Sequence, residues 1–120
     1  MSGARRLLPC PQSPNCVSSL AADTGHRVEP LRYKGTRAEA KERVVAVLRS
    51  MKRVKIVVDE PAYVQAECTS ALVRFIDDVE FLFSESEHVI HVRSASRVGY
   101  YDFGVNRDRI EHIRKELAGR

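Results

Sequence analysis

A chain of 120 residues is about one domain long and can bury roughly two thirds of its unfolded surface, so a single core accounts for all of it. With 43% hydrophobic and 30% charged residues and neither repeats nor low-complexity tracts, the composition excludes a disordered, fibrous or repeat architecture. The formal charge of +4 is concentrated between Arg32 and Lys55, where nine Lys or Arg face only Glu39 and Glu42, while residues 61–120 carry eight bases against ten acids.

No apolar run approaches the roughly 20 residues of a membrane span, and Met1–Leu8 offers two arginines without the apolar stretch of a signal peptide. Residues 1–8 are expected to be flexible and the protein to stay in the cytoplasm. Residues 9–16, Pro-Cys-Pro-Gln-Ser-Pro-Asn-Cys, hold three prolines, which fix φ and remove donors, so a rigid loop is expected. Residues 9–35 as a whole read as an ordered irregular segment packed on a sheet, ending in a short edge strand at Leu31-Arg32-Tyr33.

Thr36-Arg37-Ala38-Glu39 is a capping box and starts a helix. Ala40, Val44, Val47, Leu48 and Met51 recur at helical spacing on one side, with Glu39, Glu42, Arg43, Arg49 and Arg53 on the other. Val54–Asp59 and Tyr63–Thr69 are β-rich runs joined across Glu60-Pro61-Ala62 and read as a hairpin. Leu72–Phe83 and Val89–Arg93 follow as two more strands across the polar connection Ser84–His88. In the third strand Val73, Phe75, Val79, Phe81 and Phe83 share a face with Asp77. A lone buried carboxylate costs several kcal/mol, which predicts a bulge or a basic partner there. Asn106 is expected to cap a last helix, with Val105 and Ile110 as a hydrophobic staple and Ile110, Ile113 and Leu117 inward. The sum is an α+β two-layer sandwich: an antiparallel sheet of at least four strands with two helices on one face, forming one domain over residues 1–120.

Three stretches also carry a resemblance: Cys10-Pro11-Gln12-Ser13-Pro14-Asn15-Cys16-Val17-Ser18-Ser19, then Phe75-Ile76-Asp77-Asp78-Val79-Glu80-Phe81, then Arg93-Ser94-Ala95-Ser96-Arg97-Val98-Gly99-Tyr100 with Asp102, Gly104, Asn106 and Arg107. In this order the chain resembles the bacterial and plastid family known as domain of unknown function fourteen ninety-nine. The resemblance spans nearly the whole chain and implies no activity, cofactor or catalytic residue. Some relatives are exported or plastid proteins.

Arg93, Arg97 and Arg107 form the first candidate site. A guanidinium presents a planar fork suited to carboxylate or phosphate, and the start of the last helix adds a positive dipole, so these groups can hold a small anionic ligand or the acidic terminus of a protein partner. Ser94, Ser96 and Tyr100 would then donate hydrogen bonds, with Asp77, Asp78 and Asp102 orienting the arginines. The plainer alternative is that these aspartates are themselves the arginines' partners, in an internal network locking the last loop to the sheet. Ser94 and Ser96 lack an adjacent base, since His91 shares a strand face with Arg93 and not with Ser94.

The enzyme alternative would use Cys16 as a nucleophile beside His26, or Asp77 and Asp78 as acid and base. A third reading is an assembly factor docking through the Pro-rich loop. Cys10, Cys16 and Cys68 are too few for a disulfide framework; reduced packing residues are the default, with a Cys10–Cys16 disulfide and a zinc site with Cys68 and His26 as alternatives. No metal or cofactor is predicted. The Arg32–Lys55 block lacks interleaved aromatics, and Glu39 can pair with Arg43, so a solvated helix face is preferred to a nucleic-acid surface. Gly99 and Gly104 lack the spacing of a phosphate loop.

Overall fold

The computed structural model describes residues 5–120, the initial four lying outside the described part. Two short strands, β1 (Cys16–Ser18) and β2 (Leu31–Arg32), precede helix α1 (Arg37–Ser50). Four longer strands follow, β3 (Val54–Glu60), β4 (Tyr63–Thr69), β5 (Ile76–Ser84) and β6 (Val89–Ser96), and then helix α2 (Val105–Ala118). All pair antiparallel in one sheet of order β1-β6-β5-β4-β3, with β2 on the remaining part of the β6 edge. The α+β sandwich expected from the sequence is the fold observed.

Alternation decides which face each strand buries. Asp77, Val79, Phe81 and Phe83 of β5 and Val64, Ala66 and Cys68 of β4 point to the helices and are buried, while Asp78, Glu80, Gln65 and Glu67 point the other way. Ala40, Val44, Val47 and Leu48 of α1 and Ile110 and Ile113 of α2 close the core from one side. α1 begins as its sequence dictates, the Thr36 hydroxyl accepting from the Glu39 amide while Glu39 accepts from the Thr36 amide. Arg43 donates to the Lys34 carbonyl, however, and makes no ion pair with Glu39.

Several local expectations are corrected. The third long strand starts at Ile76, not Leu72: Ser70 and Phe75 close a turn through the amide of each, and Arg74 sits at φ 60°, which no strand permits. Val73 and Phe75 are therefore exposed rather than on a core face, and Leu72 is exposed with them. Gly104, not Asn106, is the residue before α2; its φ of 80° suits a glycine, and the Asp102 carboxylate accepts from the amides of Gly104 and Asn106. Val105 remains about half exposed, so the staple is not closed.

Of the segment expected to be flexible, residues 1–4 lie outside the described residues, but the rest is engaged on the outer face of the sheet. Arg5 pairs with Glu60 at 2.8 Å and lies over the Tyr63 ring, and Leu7 is buried. Cys10 and Cys16 form a disulfide that fastens this segment to β1. The expectation of reduced cysteines holds only for Cys68, which is buried and free.

Candidate functional site

The register places three connections at one end of the sheet. Val54 stands opposite Cys68, Thr69 opposite Ile76 and Asp77 opposite Ser96, so segments 51–53, 70–75 and 97–104 leave together, beside the disulfide loop before β1. This end gathers Asp77, Asp78, Ser94, Ser96, Arg97, Tyr100 and Asp102, and strand alternation sorts those on the strands into two layers.

On the inner face, a buried polar junction joins β5, β6, α2 and the Pro-rich loop. Its centre is Asn106, fully buried. Asn106 Oδ1 accepts from the Ser94 hydroxyl at 2.7 Å and from Arg109 at 2.8 Å. Its Nδ2 faces Asp102 at 2.9 Å, the Ser96 hydroxyl at 3.0 Å and the Asn15 carbonyl at 3.2 Å. Arg109 also donates to Asp77 at 2.8 Å and to Ser94 at 3.0 Å. The basic partner predicted for Asp77 thus exists, with no bulge required. Asn15, also buried, donates to the Gly99 carbonyl at 2.7 Å and holds the last loop against the first. Burial would raise the Asp102 carboxyl, but the donors from Asn106 and Gly104 outweigh it and hold it below the usual carboxylate range.

On the outer face, Arg97 forks onto Asp78 at 2.8 and 2.9 Å and reaches Glu67 at 2.7 Å. These hydrogen bonds lower the Asp78 carboxyl and raise the guanidinium. Arg93 faces Glu80 at 3.5 Å and the Pro9 carbonyl at 3.4 Å, its Nε being buried without a partner. Tyr63 donates to Glu80 at 2.7 Å; burial first and that carboxylate second raise its phenol.

Most of the predicted site residues therefore lie near one end without forming one pocket. Arg107 is separate again, donating to the backbone carbonyls of Arg27 and Gly25. Ser94 spends its proton on Asn106. Asp77 and Asp78 cannot act as an acid and base pair, because successive strand residues point to opposite faces, each with its own arginine. Cys16 is fully buried and disulfide-bonded and has no thiolate to offer. His26 bridges Asp23 and the Ser13 carbonyl instead of a thiol or a metal. Two main surface concavities among the described residues, about 680 and 860 Å³, lie against α1 and contain none of the predicted site residues.

Sequence reasoning missed Arg109 and Asn15 and gave Asn106 a simpler role. Arg109 was legible: it lies three residues after Asn106 and one before Ile110, on the flank of the buried helix face. It also missed what the loops expose. Leu72, Val73 and Phe75 from one connection, and Val98, Tyr100, Tyr101 and Phe103 from the other with Val105 at the start of α2, make eight of the eleven exposed large apolar residues among those described. Leu72 and Phe103 are each 94% exposed, and Tyr100, predicted as a ligand donor, is exposed and sits edge-on to Tyr101, ring centroids 4.8 Å apart.

Fold and site together define a small α+β domain in which a buried polar junction and a disulfide fix an end of exposed apolar loops. The chain belongs to the family described as protein of unknown function (DUF1499), whose model matches residues 6–117. No curated protein matches it. No helix among the described residues is long and apolar enough to cross a membrane.

Proposed function

We propose that this domain is a non-enzymatic docking module that engages its partner through the loop end of the sheet. The observation that carries this reading is the concentration of exposed apolar side chains in segments 70–75 and 97–105. A monomeric soluble surface seldom gathers large apolar residues in one contiguous region without a use for them. The elements behind the loops support the same reading: Asn15, Asp102, Asn106 and the disulfide hold the bases of the loops in place, which reduces the ordering cost of binding. Docking is thereby moved from the Pro-rich loop to its neighbours. A disulfide also fits an oxidising compartment better than the cytoplasm.

The test is a photo-crosslinking side chain introduced at Leu72 or Phe103, and as control at Ser86 in the opposite turn, in the cell that makes the protein. Adducts from the first two positions and none from the third are expected. Equal capture at both ends, or none at the loops, would sink the reading.

An arginine-lined anion site remains a second reading, supported by the unpartnered Nε of Arg93. Phosphate, sulfate or a carboxylate would then raise the Tm of wild type more than that of Arg97→Ala; equal shifts remove it.

A further inference from the structure

We infer that the occupant of the loop end is the interfacial region of an anionic lipid bilayer, an inference that rests on the docking reading above. Three observations select lipid over a protein groove or a second copy of the chain.

The apolar residues sit on protruding connections and not in a groove. Leu72 and Phe103 are almost wholly exposed, and none of the four main surface concavities among the described residues is lined by either connection. A partner helix or strand needs a recess or a free edge, whereas a bilayer takes up tips.

The chemistry of the tips suits the interface. Leucine, valine and phenylalanine can enter the acyl boundary. Tyr100 and Tyr101 carry an apolar ring with a hydroxyl end, the kind of side chain that collects at headgroup depth.

The unpaired charge on two of the connections has one sign. Connections 51–53 and 70–75 contribute Lys52, Arg53 and Arg74 and no carboxylate. Among the described residues none of these three forms an ion pair, and all are exposed; Arg53 donates only to the Thr69 carbonyl. The carboxylates nearest in the fold are already occupied: Asp77 by Arg109, Asp78 and Glu67 by Arg97, and Asp102 by the amides at the start of α2. Only Asp108, one turn into α2, is exposed and unpaired on that side. Unpaired cations around apolar tips match a surface bearing anionic headgroups, each cation contributing attraction that falls off within a Debye length. A second copy of the same end would instead bring the three cations against their like.

The test uses the full chain, oxidised, in flotation with phosphatidylcholine vesicles made with and without phosphatidylglycerol. Wild type is expected to float with the anionic vesicles, and to do so less at high salt. Leu72→Ser combined with Phe103→Ser should weaken partitioning at least about tenfold, since each side chain loses most of its apolar transfer. Lys52→Gln with Arg74→Gln should remove the preference for phosphatidylglycerol. All four positions are exposed, and unchanged urea midpoints would confirm that the variants fold. Wild type that floats with neither vesicle overturns the inference, as does flotation untouched by the loop changes. If crosslinks at Leu72 still form, but only to protein, docking stands and lipid falls. A dimer that the serine variants dissolve, without flotation, assigns the surface to a second copy.

Discussion

Replacing Arg109 by methionine tests the junction most directly. The Arg109–Asp77 pair is only 12% exposed on either side, at 2.8 Å, and the same guanidinium donates to Ser94 and Asn106. Arg109→Met removes the partner of the largely buried Asp77, and breaking a buried pair from one side costs about 3–5 kcal/mol. An unfolding entropy of about 2.1 cal/mol/K per residue, taken over 120 residues, makes each kcal/mol worth about 4 °C. The expected loss in Tm is then about 12–20 °C, with a matching fall in the urea midpoint at unchanged slope. Adding Asp77→Leu removes the stranded charge, and Asn106 Oδ1 still accepts from Ser94, so the double variant should regain at least about 2 kcal/mol. A single variant that loses under about 1 kcal/mol, or a double variant no better than the single, would refute the account of Asp77 as a carboxylate made tolerable by Arg109.

Removing the disulfide with Cys10→Ala and Cys16→Ala opens a loop of sequence separation 6 and should cost about 2 kcal/mol by chain entropy, read as a lower urea midpoint. Asn15→Ala frees the Gly99 carbonyl and should expose the Val98–Tyr101 region to limited proteolysis while the core stays protected from hydrogen exchange. Asp78 and Asp102 have carboxyls lowered in the fold, so the stability they contribute is present above the unfolded value of about 3.9 and is lost as pH falls through the folded ones. A urea midpoint that falls on acidification, and falls less in Asp78→Asn, is the expected profile. His26 has the opposite sign: held up by the Ser13 carbonyl first and by Asp23, it stabilises below about 6.5 and loses that effect as pH rises through its raised value, a dependence that His26→Gln should abolish.

The long elements were legible because each carries its own period. The capping box at Thr36, the helical spacing from Ala40 to Leu48 and the alternation from Val79 to Phe83 all express local geometry that no tertiary contact overrode. What escaped depended on groups far apart in the chain. β1 is three residues long and exists because Cys16 finds Ala95 and Ser18 finds Arg93, which no period within Cys16–Ser18 announces. Asn106 looked like a cap because asparagine usually is one; here Asp102 does the capping and frees the amide side chain to join Asn15, Ser94 and Ser96. The pairing of Asp77 with Asp78 as acid and base was refutable from the sequence, since the strand assignment already put them on opposite faces.

Apolar residues are ambiguous for a related reason. Leu72, Val73 and Phe75 fit a strand by composition, and the same residues at a loop tip fit a surface that meets lipid; only the turn closed by Ser70 and the positive φ of Arg74 decide between the two. That turn would be expensive to keep if burial were the only use for those side chains, because three large apolar groups remain in water. The same holds for Phe103, a non-glycine residue at φ 55° with its ring almost fully exposed. Behind both tips, nearly every polar group is satisfied: the arginines by carboxylates or carbonyls, and Asn106 by five partners. The internal network and the exposed apolar tips are therefore parts of one arrangement. On the docking reading proposed above, the network uses these arginines to hold two strained, apolar connections in the positions from which they would reach a partner.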